Sequence, residues 1–194
     1  MDYVKRRRQA AIAGHRGDEA TARELLADDD PAVRAAALGA LARAEALAAA
    51  DVERALSDVD PGVRRRGCEE AVPVVAVDLV PSLADADSSV VEAAAWALGE
   101  RGPAGAPGVA ALTAVARDHG DPLVREAAVA ALGAIGDRRG LAAVLAAASG
   151  DRPAVRRRAV VALAAFDGPE VDAALRAALE DRDWQVRQAA EDLL

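Results

Sequence analysis

Asp30-Pro31-Ala32-Val33-Arg34 decides the reading of this chain, because it returns as Asp60-Pro61-Gly62-Val63-Arg64, Asp121-Pro122-Leu123-Val124-Arg125 and Asp183-Trp184-Gln185-Val186-Arg187. Looser copies are Asp87-Ser88-Ser89-Val90-Val91 and Arg152-Pro153-Ala154-Val155-Arg156. The anchor valines recur at intervals of 27 to 34 residues, and Val4-Lys5 begins a half copy ahead of them. Eight residues past each anchor stands another apolar or small residue: Ile12, Leu41, Ala71, Leu98, Leu132, Leu163 and Leu194. With positions 4, 7 and 11 past the anchor also small or apolar, these form one stripe at helical spacing. The phrase therefore opens a helix, with Asp as the N-cap acceptor and Pro in the first turn, where no donor is lost.

A second amphipathic segment precedes each phrase: Leu25-Leu26, Val52 with Leu56, Val80 with Leu83, Val109-Leu112-Val115, Leu141-Val144-Leu145, and Val171-Leu175-Leu179. Each unit of about 30 residues is a helix pair too small to bury its own apolar face, so neighbours must stack. Composition agrees. Alanine makes up about a quarter of the 194 residues, aromatics only 2%, and isoleucine is nearly absent, which suits close-packed helices and excludes an all-β fold. The expected architecture is an α-solenoid in one domain, 1–194. Its parts are a cap helix over 1–16 and helix pairs over 17–44, 45–73, 74–102, 103–136, 137–167 and 168–194. The Gly/Pro run from 102 to 108 reads as an expanded joint between pairs.

The net charge of −8 argues against a phosphate-backbone partner. The lone cysteine, Cys68, has no internal partner, and no apolar run is long enough to cross a bilayer. The apolar run after Lys5-Arg6-Arg7-Arg8 is too short for a secretory signal, so a cytoplasmic location is expected.

An acidic residue near the turn followed by Val-Arg in the second helix resembles the HEAT family, in particular the short HEAT-like repeats of phycobilisome bilin lyases and bacterial adaptors. The resemblance covers almost the whole chain. It implies a right-handed solenoid of about six helix pairs plus an N-terminal half repeat. It also implies an Asp/Arg ladder tying consecutive repeats, carried by Asp28, Arg34, Asp58, Arg64, Asp85, Arg125, Arg156, Asp181 and Arg187. The fourth and fifth copies depart in spacing, offering Asp118 or Asp121 with Arg125 and Asp151 with Arg156, and Val91 breaks the arginine series. The His-Glu pairs of the family's deoxyhypusine hydroxylases are missing, because only His15 and His119 are present.

The functional expectation is a non-enzymatic scaffold that holds a protein or peptide on the concave face lined, in the family, by second helices. The residues expected there are Arg65, Glu92, Trp96, Glu126, Val129, Arg157 and Gln188. Trp96 is the most informative, since the other copies place Ala10, Gly39, Glu69, Ala130, Val161 and Asp192 six past the anchor, so the repeat does not demand an indole; it either anchors a partner or fills a groove against the joint at 102–108. Basic triplets such as Arg64-Arg65-Arg66 read mainly as ladder and stripe-flanking residues. Acidic residues at the turns read as helix caps and ladder members, without metal-ligand spacing. No catalytic residue, metal or cofactor is expected. The alternative is a bilin-lyase-like protein that cradles a tetrapyrrole; DNA binding of the alkylpurine-glycosylase kind ranks below it. The last helix ends apolar at Leu193-Leu194, so a monomer or a weak end-to-end dimer through the C-terminal repeat is expected.

Overall fold

The computed structural model describes residues 2–103 and 105–194. It is all-α, an α-solenoid by class, with twelve α-helices, short 3-10 segments and no strand among the described residues. The residues cluster into two compact units, Met1–Ala94 and Ala95–Leu194.

The N-terminal unit opens with α1 (Tyr3–Arg16) and continues with the pairs α2 (Glu19–Leu25) with α3 (Pro31–Arg43) and α4 (Ala49–Leu56) with α5 (Pro61–Glu70). A 3-10 segment, Val80–Ala84, then precedes α6 (Ser88–Arg101), the helix along which the two units divide. The C-terminal unit holds the rest of α6 and the pairs α7 (Gly105–Asp118) with α8 (Pro122–Ile135), α9 (Leu141–Gly150) with α10 (Pro153–Ala162), and α11 (Pro169–Ala178) with α12 (Trp184–Glu191).

The recurring phrase does locally what its residues dictate. Carboxylates of Asp30, Asp60, Asp121 and Asp183 accept from backbone N–H groups two residues on, and Pro31, Pro61 and Pro122 fill the first helical position. The anchors Val33, Val63, Val90, Val124, Val155 and Val186 are all buried. Each contributes about 1.5–2 kcal/mol of apolar burial. In the N-terminal unit they join Leu38, Leu41 and Val52; in the C-terminal unit, Leu112, Leu132, Val144 and Leu163.

Three details differ from the sequence expectation. The half copy is set one residue later than Val4: Val4 and Ile12 are 53% and 38% exposed, while Ala10, Ala13 and Gly14 are buried. The third pair has no first α-helix. Its connection runs through Val72-Pro73-Val74-Val75-Ala76-Val77 into the 3-10 segment containing Pro81, because two prolines remove helical donors and β-branched residues lower helix propensity. Finally, the joint expected over 102–108 is shorter, since α7 already starts at Gly105; Ala104, inside that joint, lies outside the described residues.

Close helix approach sets the local geometry. A Cβ on Gly99 would lie 2.9 Å from the Ala131 Cα, and one on Gly133 would lie 2.6 Å from the Ala162 Cβ. Helices α6, α8 and α10 therefore touch backbone to backbone and run side by side in the C-terminal unit.

Candidate interaction surface

Two surfaces carry most of the charged and exposed apolar residues expected from the sequence. The first is the turn edge. Arg34 donates from Nε and Nη2 to both oxygens of Asp58, at 2.8 and 2.6 Å, while its Nη1 donates to the backbone carbonyls of Asp28 and Asp29. Each guanidinium thus clamps its own turn and reaches forward to the next pair. The same fork joins Arg64 to Asp85, Arg125 to Asp151 and Arg156 to Asp181. Arg187 makes the backward half, donating to the Asp181 carbonyl at 2.7 Å. Each acceptor aspartate also caps its turn; Asp58, for example, accepts from the Asp60 N–H. Hydrogen bonds from the arginine hold Asp58, Asp85, Asp151 and Asp181 below the usual carboxylate range, against the opposing effect of burial.

Sequence reasoning placed two rungs incompletely. Arg6, absent from the expected ladder, forms the first rung, bidentate on Asp28 at 2.7 and 3.1 Å, which follows from the one-residue shift of α1. Asp151 serves as the acceptor for Arg125 rather than as a partner within its own copy; to Arg156 it offers only its backbone carbonyl. Neither Asp118 nor Asp121 takes a ladder role: Asp121 caps α8, and the residue five before the anchor is His119, whose carbonyl accepts from Arg125. The register therefore replaces both members of the fourth rung, with Val91 in place of arginine and His119 in place of aspartate.

The second surface is the outward side of the second helices. In the N-terminal unit it is charged and self-paired. Arg65 and Arg66 bind Glu69 at 3.0 and 3.1 Å, and Arg66 also binds Glu70 at 2.5 Å. Gly39 makes room for this cluster: a Cβ there would lie 2.3 Å from the Arg66 Nη2. Burial pushes the Glu70 carboxyl up despite the nearby Arg66 and Arg43 guanidinium groups.

In the C-terminal unit the place of Glu69, six past the anchor, is mainly apolar, while the place of Arg65 stays polar. Trp96 on α6 and Val161 on α10 are each 46% exposed, with half-buried Ala130 on α8 between them in the register and exposed Ala134 one turn further on. Trp96 is thus about half exposed. Acidic side chains flank it along its own helix, Glu92 one turn before and Glu100 one turn after, both exposed. Glu126 is half-buried and accepts from Arg158 at 3.4 Å, Arg157 is half-buried, and exposed Gln188 donates to Asp192 at 2.9 Å.

Val129 requires a correction. It is fully buried, five past the anchor on the core flank of α8, and cannot touch a partner. Val161, outside the expected set, stands six past its anchor, the same place as Trp96, and is exposed to the same degree.

Cys68 is buried. Among the described residues no group of three or more His, Cys, Asp or Glu could hold a metal ion, and no helix is long and apolar enough to cross a membrane.

Stacked helix pairs joined by Asp/Arg rungs define an α-helical repeat protein. Residues 109–194 match the family model for HEAT repeats, and the rungs of residues 2–94 follow the same pattern. Its fold is similar to an engineered protein (TM-score 0.66, 21% identity, covering 91% of this chain and 95% of that one). It is also similar to the complex of CpcE and CpcF of phycocyanin lyase from Nostoc sp. PCC7120 (TM-score 0.61, 24% identity, 89% and 74%). Human deoxyhypusine hydroxylase is a third such structure (TM-score 0.52, 20% identity, 99% and 78%). No curated protein sequence matches the chain.

Proposed function

We propose that this protein is a non-enzymatic interaction scaffold whose C-terminal unit holds a protein or peptide segment across α6, α8 and α10. The observation that carries the reading is Trp96. A half-exposed indole stands in a row that elsewhere carries Ala10, Gly39, Glu69, Ala130, Val161 and Asp192, so the repeat does not demand it, and aromatic side chains concentrate interface energy. Val161 and the alanines of α8 extend the apolar strip, while Glu92, Glu100 and Arg157 form its polar rim. HEAT-like architecture supports a scaffold role, because stacked repeats present long surfaces. The double substitution Trp96→Ala with Val161→Asp tests the site. Affinity capture followed by mass spectrometry should lose its specific partner, with the thermal midpoint within a few degrees of wild type because both side chains are half in solvent. Undiminished capture overturns this site.

The similarity to the phycocyanin lyase supports a second reading, in which the same strip carries a tetrapyrrole. Titrating phycocyanobilin or haem while following absorption and Trp96 emission separates the two; an unchanged spectrum removes the tetrapyrrole. Exposed Trp184, Leu193 and Leu194 in the last repeat support weak end-to-end pairing, which light scattering against concentration would read.

A further inference from the structure

The outer face of α1 is a second exposed surface, distinct in chemistry from the strip on α6, α8 and α10. Its inner side is settled: Ala10, Ala13 and Gly14 are buried, and Arg6 is committed to Asp28. At 100° per residue the opposite side collects Val4, Lys5, Arg8, Ile12, His15 and Arg16, all exposed. Arg7 is exposed on the flank.

No acidic residue occurs within α1, and among the described residues no ion pair engages Lys5, Arg7, Arg8 or Arg16. Three of the carboxylates around α1 and α2 are already engaged, while Glu24 on α2 is exposed. Asp18 accepts from Thr21, Glu19 from Arg23 and Asp28 from Arg6. Keeping an outer helix soluble requires polar residues, but it requires neither one sign of charge nor aliphatic side chains set between the cations. Here Val4 and Ile12 lie two turns apart on the outward line, with Arg8 between them.

We propose that this face docks an acidic protein segment, a helix bearing carboxylates with aliphatic residues two turns apart that meet Val4 and Ile12. The charge of the whole chain selects this occupant over a membrane or a nucleic acid. Helix α1 with its cap Asp2 carries five cations against one anion, a net of +4, so the remaining residues carry −12 of a chain whose total is −8. An extended anionic surface would meet that body as well as the patch and be repelled. A short acidic segment meets only the patch, with more distant charges screened beyond about 8 Å at physiological salt. Two aliphatic side chains are also too little apolar surface to insert into a bilayer, but enough to set the register of a helix.

The test uses the full chain and a fluorescein-labelled helical peptide of glutamates with leucines at every third or fourth position, read by anisotropy. Saturable binding is expected, weakening roughly tenfold or more between about 0.05 M and about 0.3 M salt. Lys5→Glu with Arg8→Glu and Arg16→Glu should abolish it, and Val4→Ser with Ile12→Ser should weaken it severalfold at unchanged charge. Because the altered side chains are exposed, the thermal midpoint checks folding; Arg8→Gln alone, expected to give a partial loss, serves if the triple variant fails to fold. Equal affinity of the charge-reversed chain, no binding by the wild type, or preferential binding to phosphatidylserine vesicles or duplex DNA overturns the proposal. Trp96→Ala should leave peptide binding unchanged, so this face and the proposed scaffold surface stand or fall separately.

Discussion

The N-terminal and C-terminal units use the same rung and differ in what their second helices show to solvent. In the first, Arg65, Arg66, Glu69 and Glu70 neutralise one another over the gap left by Gly39. In the second, Trp96, Ala130 and Val161 take the place of Glu69, while Glu126, Arg157 and Gln188 keep the place of Arg65 polar. The interior stripe and the ladder do not change between the units, because both are needed for stacking. The outward positions are free to change, so they are where function is to be sought.

The largest expected effect tests the shared part. Arg156 is only 3% exposed and binds both oxygens of Asp181 while clamping the Asp151 carbonyl. Arg156→Ala removes a buried guanidinium, leaves the half-buried Asp181 carboxylate without its partner, and should cost about 3 kcal/mol in denaturant unfolding. Arg34→Ala removes a more solvated rung, 16% exposed on the arginine side, and should cost less. Equal losses would show that burial does not grade the ladder.

Next in size is a pair of glycine substitutions that separates the two second-helix faces. Gly133→Ala drives a methyl into the Ala162 backbone, which cannot yield, and should lose about 1–3 kcal/mol through overpacking. Gly39→Ala meets only the end of the Arg66 side chain, which can swing aside. There the gain in helix propensity of up to about 1 kcal/mol should offset the crowding. A large loss at Gly39 would mean that the N-terminal charge cluster is as rigid as the C-terminal seam.

The smallest effects are in pH dependence and have opposite signs within one unit. Asp58 has a folded pKa below its unfolded one. Its stabilisation is therefore complete above the ordinary aspartate range, about 3.9, and is lost as pH falls through the depressed folded value. Asp58→Asn should be destabilising at neutral pH, by a margin that closes in acid. Glu70 is shifted upward by burial, so the folded state holds its proton more tightly and stability falls as pH rises from the ordinary glutamate range through the raised folded value. Glu70→Gln should be close to neutral in acid and relatively more favourable at neutral pH, read as the difference in unfolding midpoint across pH.

The helix pairs were legible because Asp-Pro caps and buried valines act locally, within a few residues of their neighbours. Asp28, Arg34 and their counterparts were legible only through the family resemblance. The start of the first copy was not, since Val4 and Lys5 both suit an anchor by spacing, and only contact with Asp28 selects Arg6. Val129 was misplaced for a related reason: on an alanine-rich helix, positions five and six past the anchor differ by only 100° of rotation, and packing decides which is covered.

By itself the sequence determined that the chain is helical and repetitive, because caps, prolines and apolar period specify local geometry at short range. Only the tertiary structure decided which arginine meets which aspartate, that Trp96 stands in solvent, and that Val129 does not. Those outcomes depend on how closely neighbouring helices approach, a distance set by the side chains of both helices together.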